Sequence, residues 1–194
     1  LLDPGEGVVS APRWLPGDPR RVVYLYAPAT GAPRLIVQET KKEAERTELP
    51  PLVAWDAERA FVPPAQFEFE TAGGLKLGGF LYRDPSWVAP IPAVLYLGDA
   101  PYAAVDARFR AEEQALAAAG FAVLAPSLPG TPGYGRKITN AQRDATSFED
   151  ELSDLVDAVD ALRTHEGVDE TKIAVVGRGY GGALALLLAG ARPG

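Results

Sequence analysis

Between residues 148 and 164, Phe148, Leu152, Leu155, Val156, Val159 and Leu162 recur at three- and four-residue spacing, with acidic residues on the other side. That period draws one apolar stripe along a helix, so the segment is expected to be amphipathic and packed on a core. Upstream, 66–70, 75–82 and 93–97 read as strands, the first two joined by a hairpin turn at Gly73-Gly74. Residues 106–119 are rich in Ala, Glu and Leu, open on an Asp able to cap free amides and close at Gly120. They predict a helix over that range. Residues 121–126 follow as a buried strand, 172–176 as a short β-branched one, and 182–191 as a helix of Ala and Leu. Strands alternating with helices at these lengths predict an α/β fold with a mostly parallel sheet, helices on both faces and right-handed crossovers.

The front of the chain differs. Residues 22–26 and 34–38 flank the turn segment Pro28-Ala29-Thr30-Gly31-Ala32-Pro33, a pattern that predicts a β-hairpin within residues 1–50. Residues 41–48 are a charge run and read as a solvated connector. Residues 51–65 are then a linker into the main domain, 66–194.

Composition narrows the chemistry. Of 194 residues 47% are apolar and 9% aromatic, which argues for a soluble, core-forming chain. The 26 acidic residues outnumber the 19 basic ones, giving −7, which argues against a nucleic-acid partner. No run of about 18 apolar residues is present and residues 1–20 lack a signal-peptide pattern, so no membrane partner is expected. Zero Cys removes disulfides, thiolate nucleophiles and thiolate metal sites, and suits either redox compartment. The single histidine, His165, excludes a multi-histidine metal centre and is the one candidate base for a Ser-His-Asp triad. We therefore expect no metal and no cofactor. Zero Met, position 1 included, is expected of a processed chain or a piece of a longer one.

Residues 173–183 read Ile-Ala-Val-Val-Gly-Arg-Gly-Tyr-Gly-Gly-Ala, a strand running through a glycine-rich turn into a helix. As a nucleophile elbow, Gly-x-Ser-x-Gly, the motif would place its serine at 179 between Gly177 and Gly181; this chain has Gly179. As a dinucleotide fingerprint, Gly177-x-Gly179-x-x-Gly182 would present helix amides to a pyrophosphate. The fingerprint belongs on the first strand of its unit, whereas here earlier strand and helix passages precede it. Nucleotide binding through Gly177, Gly179 and Gly182 stays as an alternative.

The wider text resembles the prolyl oligopeptidase family of serine peptidases, which includes dipeptidyl and acylaminoacyl peptidases. Four stretches carry the resemblance. Residues 67–82 look like that family's leading hairpin, and Val94-Leu95-Tyr96-Leu97-Gly98-Asp99-Ala100-Pro101-Tyr102 stands where the family commonly runs into His-Gly-Gly-Pro. Gly130-Thr131-Pro132-Gly133-Tyr134-Gly135-Arg136 resembles its Arg-Gly-Ser-x-Gly-Tyr-Gly loop, and 148–189 its helix, strand and Gly-x-Ser-Tyr-Gly-Gly elbow. The resemblance implies an α/β-hydrolase domain over 66–194, with its triad Asp and His beyond the elbow and outside this chain. It also makes Pro12-Arg13-Trp14-Leu15-Pro16-Gly17-Asp18 and the hairpin after it look like the end of a β-propeller.

The departures bear on activity. Gly179 has no side chain to attack with, so no catalytic residue is assigned. Ser127 and Ser147 lie on other turns and read as surface or capping serines, and His165 as a loop residue. On the oxyanion side the amide of Tyr180 survives, but Asp99 stands in the altered turn, where its charge would oppose a developing oxyanion. Glycine suits the strained elbow, so 179 would drift toward it once catalysis is lost. We expect a pseudo-hydrolase with a binding or assembly role; the alternative is a serine peptidase or esterase seen as an altered fragment. Tyr102, Tyr134 and Tyr180 are placed by the resemblance near the old active-site mouth, where a peptide or small molecule could bind. Half a parallel sheet leaves an edge strand and apolar helix faces bare, so the remainder of the polypeptide or a tight protein partner is expected to cover them.

Overall fold

The computed structural model describes residues 7–41, 45–50, 61–99, 105–144 and 148–192, the side chains of 142–144 and 148 excepted. It divides into two units, Leu1–Pro63 with Ala107–Ala111, and Pro64–Asp106 with Glu112–Gly194.

The first unit is more than the expected hairpin. Strands β1 (Gly7–Leu15), β2 (Asp18–Pro28), β3 (Arg34–Glu39) and β4 (Arg46–Glu48) form a four-stranded antiparallel sheet in chain order. Val22, Tyr24 and Ile36 make its small core, with the Tyr24 hydroxyl donating to Gln38 at 2.7 Å. The connector expected at 41–48 is corrected at its end: Arg46, Thr47 and Glu48 pair with β3, and Glu48 also binds Arg34. A charged, exposed strand is a stable edge because its side chains discourage further pairing.

The second unit holds a five-stranded sheet of order β5-β6-β8-β7-β9, with β5 (Ala65–Glu70), β6 (Lys76–Tyr82), β7 (Ile91–Leu97), β8 (Ala122–Pro126) and β9 (Val168–Gly177). β5, β6 and β8 are successive antiparallel neighbours, and β8, β7 and β9 are parallel. Phe67 and Phe69 of β5 point inward while Glu68 and Glu70 face solvent. β8, in the middle of the sheet, is buried along its whole length, as a strand covered on both faces must be. β9 is longer than the expected 172–176 and, at the end of the order, largely open to solvent.

Four helices complete the unit: α1 (Ala111–Ala118), α2 (Arg136–Asp144), α3 (Phe148–Arg163) and α4 (Tyr180–Ala191). Leu155, Ala158 and Leu162 of α3 and Leu184 and Leu188 of α4 share one core with Ala93, Leu95 and Leu97 of β7. The alternate β7 residue Tyr96 serves the opposite face, where its hydroxyl donates to Glu112 of α1. The helix expected from Asp106 begins at Ala111 instead. The amide of Phe109 is spent on the carbonyl of Pro28 at 2.8 Å, and its ring stands edge-on to Phe61 at 4.9 Å, which holds the preceding residues out of the helix. α2 had no apolar stripe to announce it, since Ile138 is its buried hydrophobic anchor.

The acidic side of α3 meets the β5–β6 turn. Asp157 accepts the amide of Ala72 at 2.8 Å, and Asp154 is hydrogen-bonded to Thr71. Burial, with Asp157 and Asp150 nearby, pushes Asp154 up to about 6 from 3.8. A carboxyl raised on folding binds its proton more tightly in the native state, so its contribution is favourable in acid and is lost as pH climbs through 6. Asp154→Asn should therefore melt higher than the parent chain at pH 7–8, and the advantage should vanish below about pH 4. Thermal melts of both chains across that range check this.

Candidate functional site

In the parallel pair β7 and β9, Leu97 lies opposite Gly177, so the residues just past each strand emerge side by side on one edge of the sheet. Gly98 and Asp99 follow β7; Arg178 and Gly179 follow β9 and lead into α4. The amide of Arg178 donates to the carbonyl of Leu97 at 3.0 Å and ties the two loops together. A β-carbon on Gly177 would overlap the carbonyl of Gly181, and one on Gly181 the carbonyls of Leu97 and Gly98. Strand and helix approach this closely only where both residues lack side chains.

Gly179 stands at the head of α4 with φ 57° and ψ −125° and provides no side-chain cap. An L-residue held there would carry strain of about 1–3 kcal/mol. The backbone thus turns sharply from strand to helix with no side chain at residue 179. The room a side chain would need is taken, because a β-carbon at 179 would run into Oδ1 of Asp99.

Asp99 is paired with a neighbouring cation. Its Oδ2 accepts from Nη2 of Arg178 at 3.0 Å. Nη1 of Arg178 lies 3.7 Å from Glu112, whose other oxygen takes the Tyr96 hydroxyl. Asp99 first, then Glu112, hold the Arg178 guanidinium above its ordinary range, and burial followed by Glu112 raises the Tyr96 hydroxyl. The Asp99, Arg178 and Glu112 side chains are more than half exposed, so the ion pairs fix geometry more than they add stability.

The remaining expected residues scatter. Tyr180, the first residue of α4, donates its hydroxyl to Glu151, which is buried on α3. Tyr180→Phe should cost about 1–3 kcal/mol in urea unfolding by withdrawing a donor from a buried carboxylate. Tyr134 packs against the core and its hydroxyl donates to the carbonyl of Val105 at 2.8 Å. Tyr102 and Ser147 lie outside the described residues. Ser127 follows β8 and is corrected from surface to interior, being 1% exposed with no hydrogen-bond partner for Oγ among the described residues. His165 precedes β9, at the end of that strand away from Gly177, and its ring lies 5.4 Å from Phe67. A pyrophosphate at Gly179 would meet the Asp99 carboxylate, which disfavours the nucleotide reading. The Arg178–Asp99 pair was not legible beforehand, since 79 positions separate the partners. Among the described residues no cluster of metal-ligating side chains occurs and no helix is long and apolar enough to cross a membrane.

Known proteins resemble this chain in sequence and in fold. It is 28% identical over 130 residues to the uncharacterized peptidase YuxL of Bacillus subtilis, covering 66% of this chain and 20% of that protein. It is 35% identical over 101 residues to dipeptidyl-peptidase 5 of Porphyromonas gingivalis, covering 51% of this chain and 15% of that one. The chain therefore spans a fifth or less of the length of these relatives. In structure it is similar to an acylaminoacyl peptidase of Pyrococcus horikoshii, with TM-score 0.73, 20% identity and coverage of 93% of this chain and 29% of that one. It is likewise similar to a puromycin-hydrolyzing peptidase of Mycobacterium tuberculosis, with TM-score 0.77, 19% identity and coverage of 93% and 28%. The family model of the prolyl oligopeptidase family matches residues 107–194. Over residues 107–194, which carry the turn after β9 and Gly179, the chain is thus similar in sequence to the prolyl oligopeptidase family.

Proposed function

We propose that the second unit is a pseudo-hydrolase, a serine-peptidase-like α/β domain that keeps the fold, has lost acyl transfer and serves in binding or assembly. One observation carries the reading: the nucleophile position is Gly179, and the Asp99 carboxylate stands where its side chain would project. Acyl transfer needs a nucleophile and donors aimed at an oxyanion, and an anion at that place opposes the second need as the missing side chain removes the first. A fluorophosphonate serine probe should leave the intact mass of the protein unchanged, and peptide and ester substrates should turn over no faster than with heat-killed protein. A probe adduct would overturn the proposal.

The competing reading is retained peptidase activity, favoured by the relatives' names. It would require a serine at a position other than 179, and Ser127 is buried among the sheet ends.

Within the same proposal, further polypeptide or a tight protein partner covers the open side of β9 and α4, and the first unit is the end of a β-propeller. In support, Leu186 is 78% exposed, Leu187 and Val176 are also exposed, and Val159, Ile173, Val175 and Leu188 line a groove beside β9. Surfaces of this kind are uncommon on a free monomer. The isolated 194-residue chain should self-associate in sedimentation; a monodisperse monomer with one cooperative melt would count against covering.

A further inference from the structure

The geometry points to Asp99 as a built-in occupant of the nucleophile position, held there by Arg178, so that a side chain at position 179 would have to turn the carboxylate aside. Three observations meet at this spot. The register of β7 with β9 brings Asp99 and Gly179 out together, each two residues past the Leu97–Gly177 pair. Oδ1 of Asp99 fills the place of a β-carbon on Gly179, while Oδ2 is held by Nη2 of Arg178 at 3.0 Å. Arg178 is itself braced, its amide on the carbonyl of Leu97 and its Nη1 3.7 Å from Glu112.

The carboxylate is also well placed electrostatically. It lies beside the head of the 12-residue helix α4, the positive end of the helix dipole, and beside a guanidinium. A side chain returned to 179 would have to displace this carboxylate as well as adopt φ 57°. The backbone strain belongs to residue 179 alone, whereas the collision belongs to the pair. Residues 99 and 179 are therefore coupled: a side chain at 179 moves the Asp99 carboxylate off its seat and gives up its ion pair with Arg178.

A double-mutant cycle on the intact protein separates strain from collision, because strain appears in both backgrounds and cancels. Gly179→Ser should lower the melting temperature beside Asp99 by about 1–3 °C more than it does in the Asp99→Gly background, the worth of an exposed ion pair that must be given up. Arg178→Ala, which releases the clamp, should also shrink the penalty. If the Gly179→Ser protein cannot be recovered, Gly179→Ala carries the same β-carbon with less bulk and reads the same coupling. Equal penalties with Asp99 present and in the Asp99→Gly background would overturn the inference. The inference rests on reading 179 as the nucleophile position, yet the two fail separately. A fluorophosphonate adduct on the unaltered protein defeats the proposed function and leaves the coupling standing, while additivity in the cycle defeats the coupling and leaves the proposed function standing.

Discussion

Gly181→Ala should abolish folding of the second unit, or lower its stability by more than about 3 kcal/mol, the upper range for forcing a group into a packed site. A β-carbon there would strike two backbone carbonyls, those of Leu97 and Gly98, at the end of a strand buried in the middle of the sheet. A flexible side chain could move aside; the end of β7 cannot without breaking its pairing with β9. Gly182→Ala is the control one residue along. Its β-carbon would lie 3.4 Å from the carbonyl of Gly177, a contact relieved by a small shift, and alanine is the better helix former by about 1 kcal/mol. Urea unfolding followed by far-ultraviolet circular dichroism should thus separate two neighbouring glycines by several kcal/mol. Near-equal effects would mean that α4 sits farther from β7 than described.

Leu184→Ala should cost about 2–5 kcal/mol, as removal of a fully buried leucine does when the surroundings close only in part over the space left. Leu184 is 0% exposed and joins α4 to the core shared with α3 and β7. Two residues further on, Leu186 is 78% exposed, and Leu186→Ala should change the stability of the isolated chain by no more than about 0.5 kcal/mol. The contrast tests the orientation of the helix that carries the elbow. It also gives a readout for the proposed covering of this face: Leu186→Ala measured in the presence of whatever covers α4 should become costly, approaching Leu184→Ala.

Much of this architecture was legible in the residues because it is local. The α3 stripe, the Gly73-Gly74 hairpin and the wholly apolar β8 each state their own period, and the glycine at 120 marks the end of α1 with a positive φ of 97°. What was missed was settled by contacts from elsewhere. β4 is a charged segment that becomes a strand because β3 offers it a ladder, and the first turn expected of α1 is undone by Pro28 taking the amide of Phe109. α2 is polar nearly throughout and is anchored by Ile138, so it carries too few apolar residues to announce a packed helix.

The same division runs through the candidate site. The sequence by itself determined a glycine-rich turn between a β-branched strand and an Ala-Leu helix, a glycine at 179 and an aspartate at 99; all three are matters of residue identity within short motifs. Only the tertiary structure decided what that aspartate does. Pairing of β7 with β9 carries Asp99 across to Gly179, and Arg178 then holds its carboxylate there. Residue identity specifies which groups exist, whereas strand register specifies which of them meet, and a missing β-carbon becomes occupied space only once the two loops stand side by side.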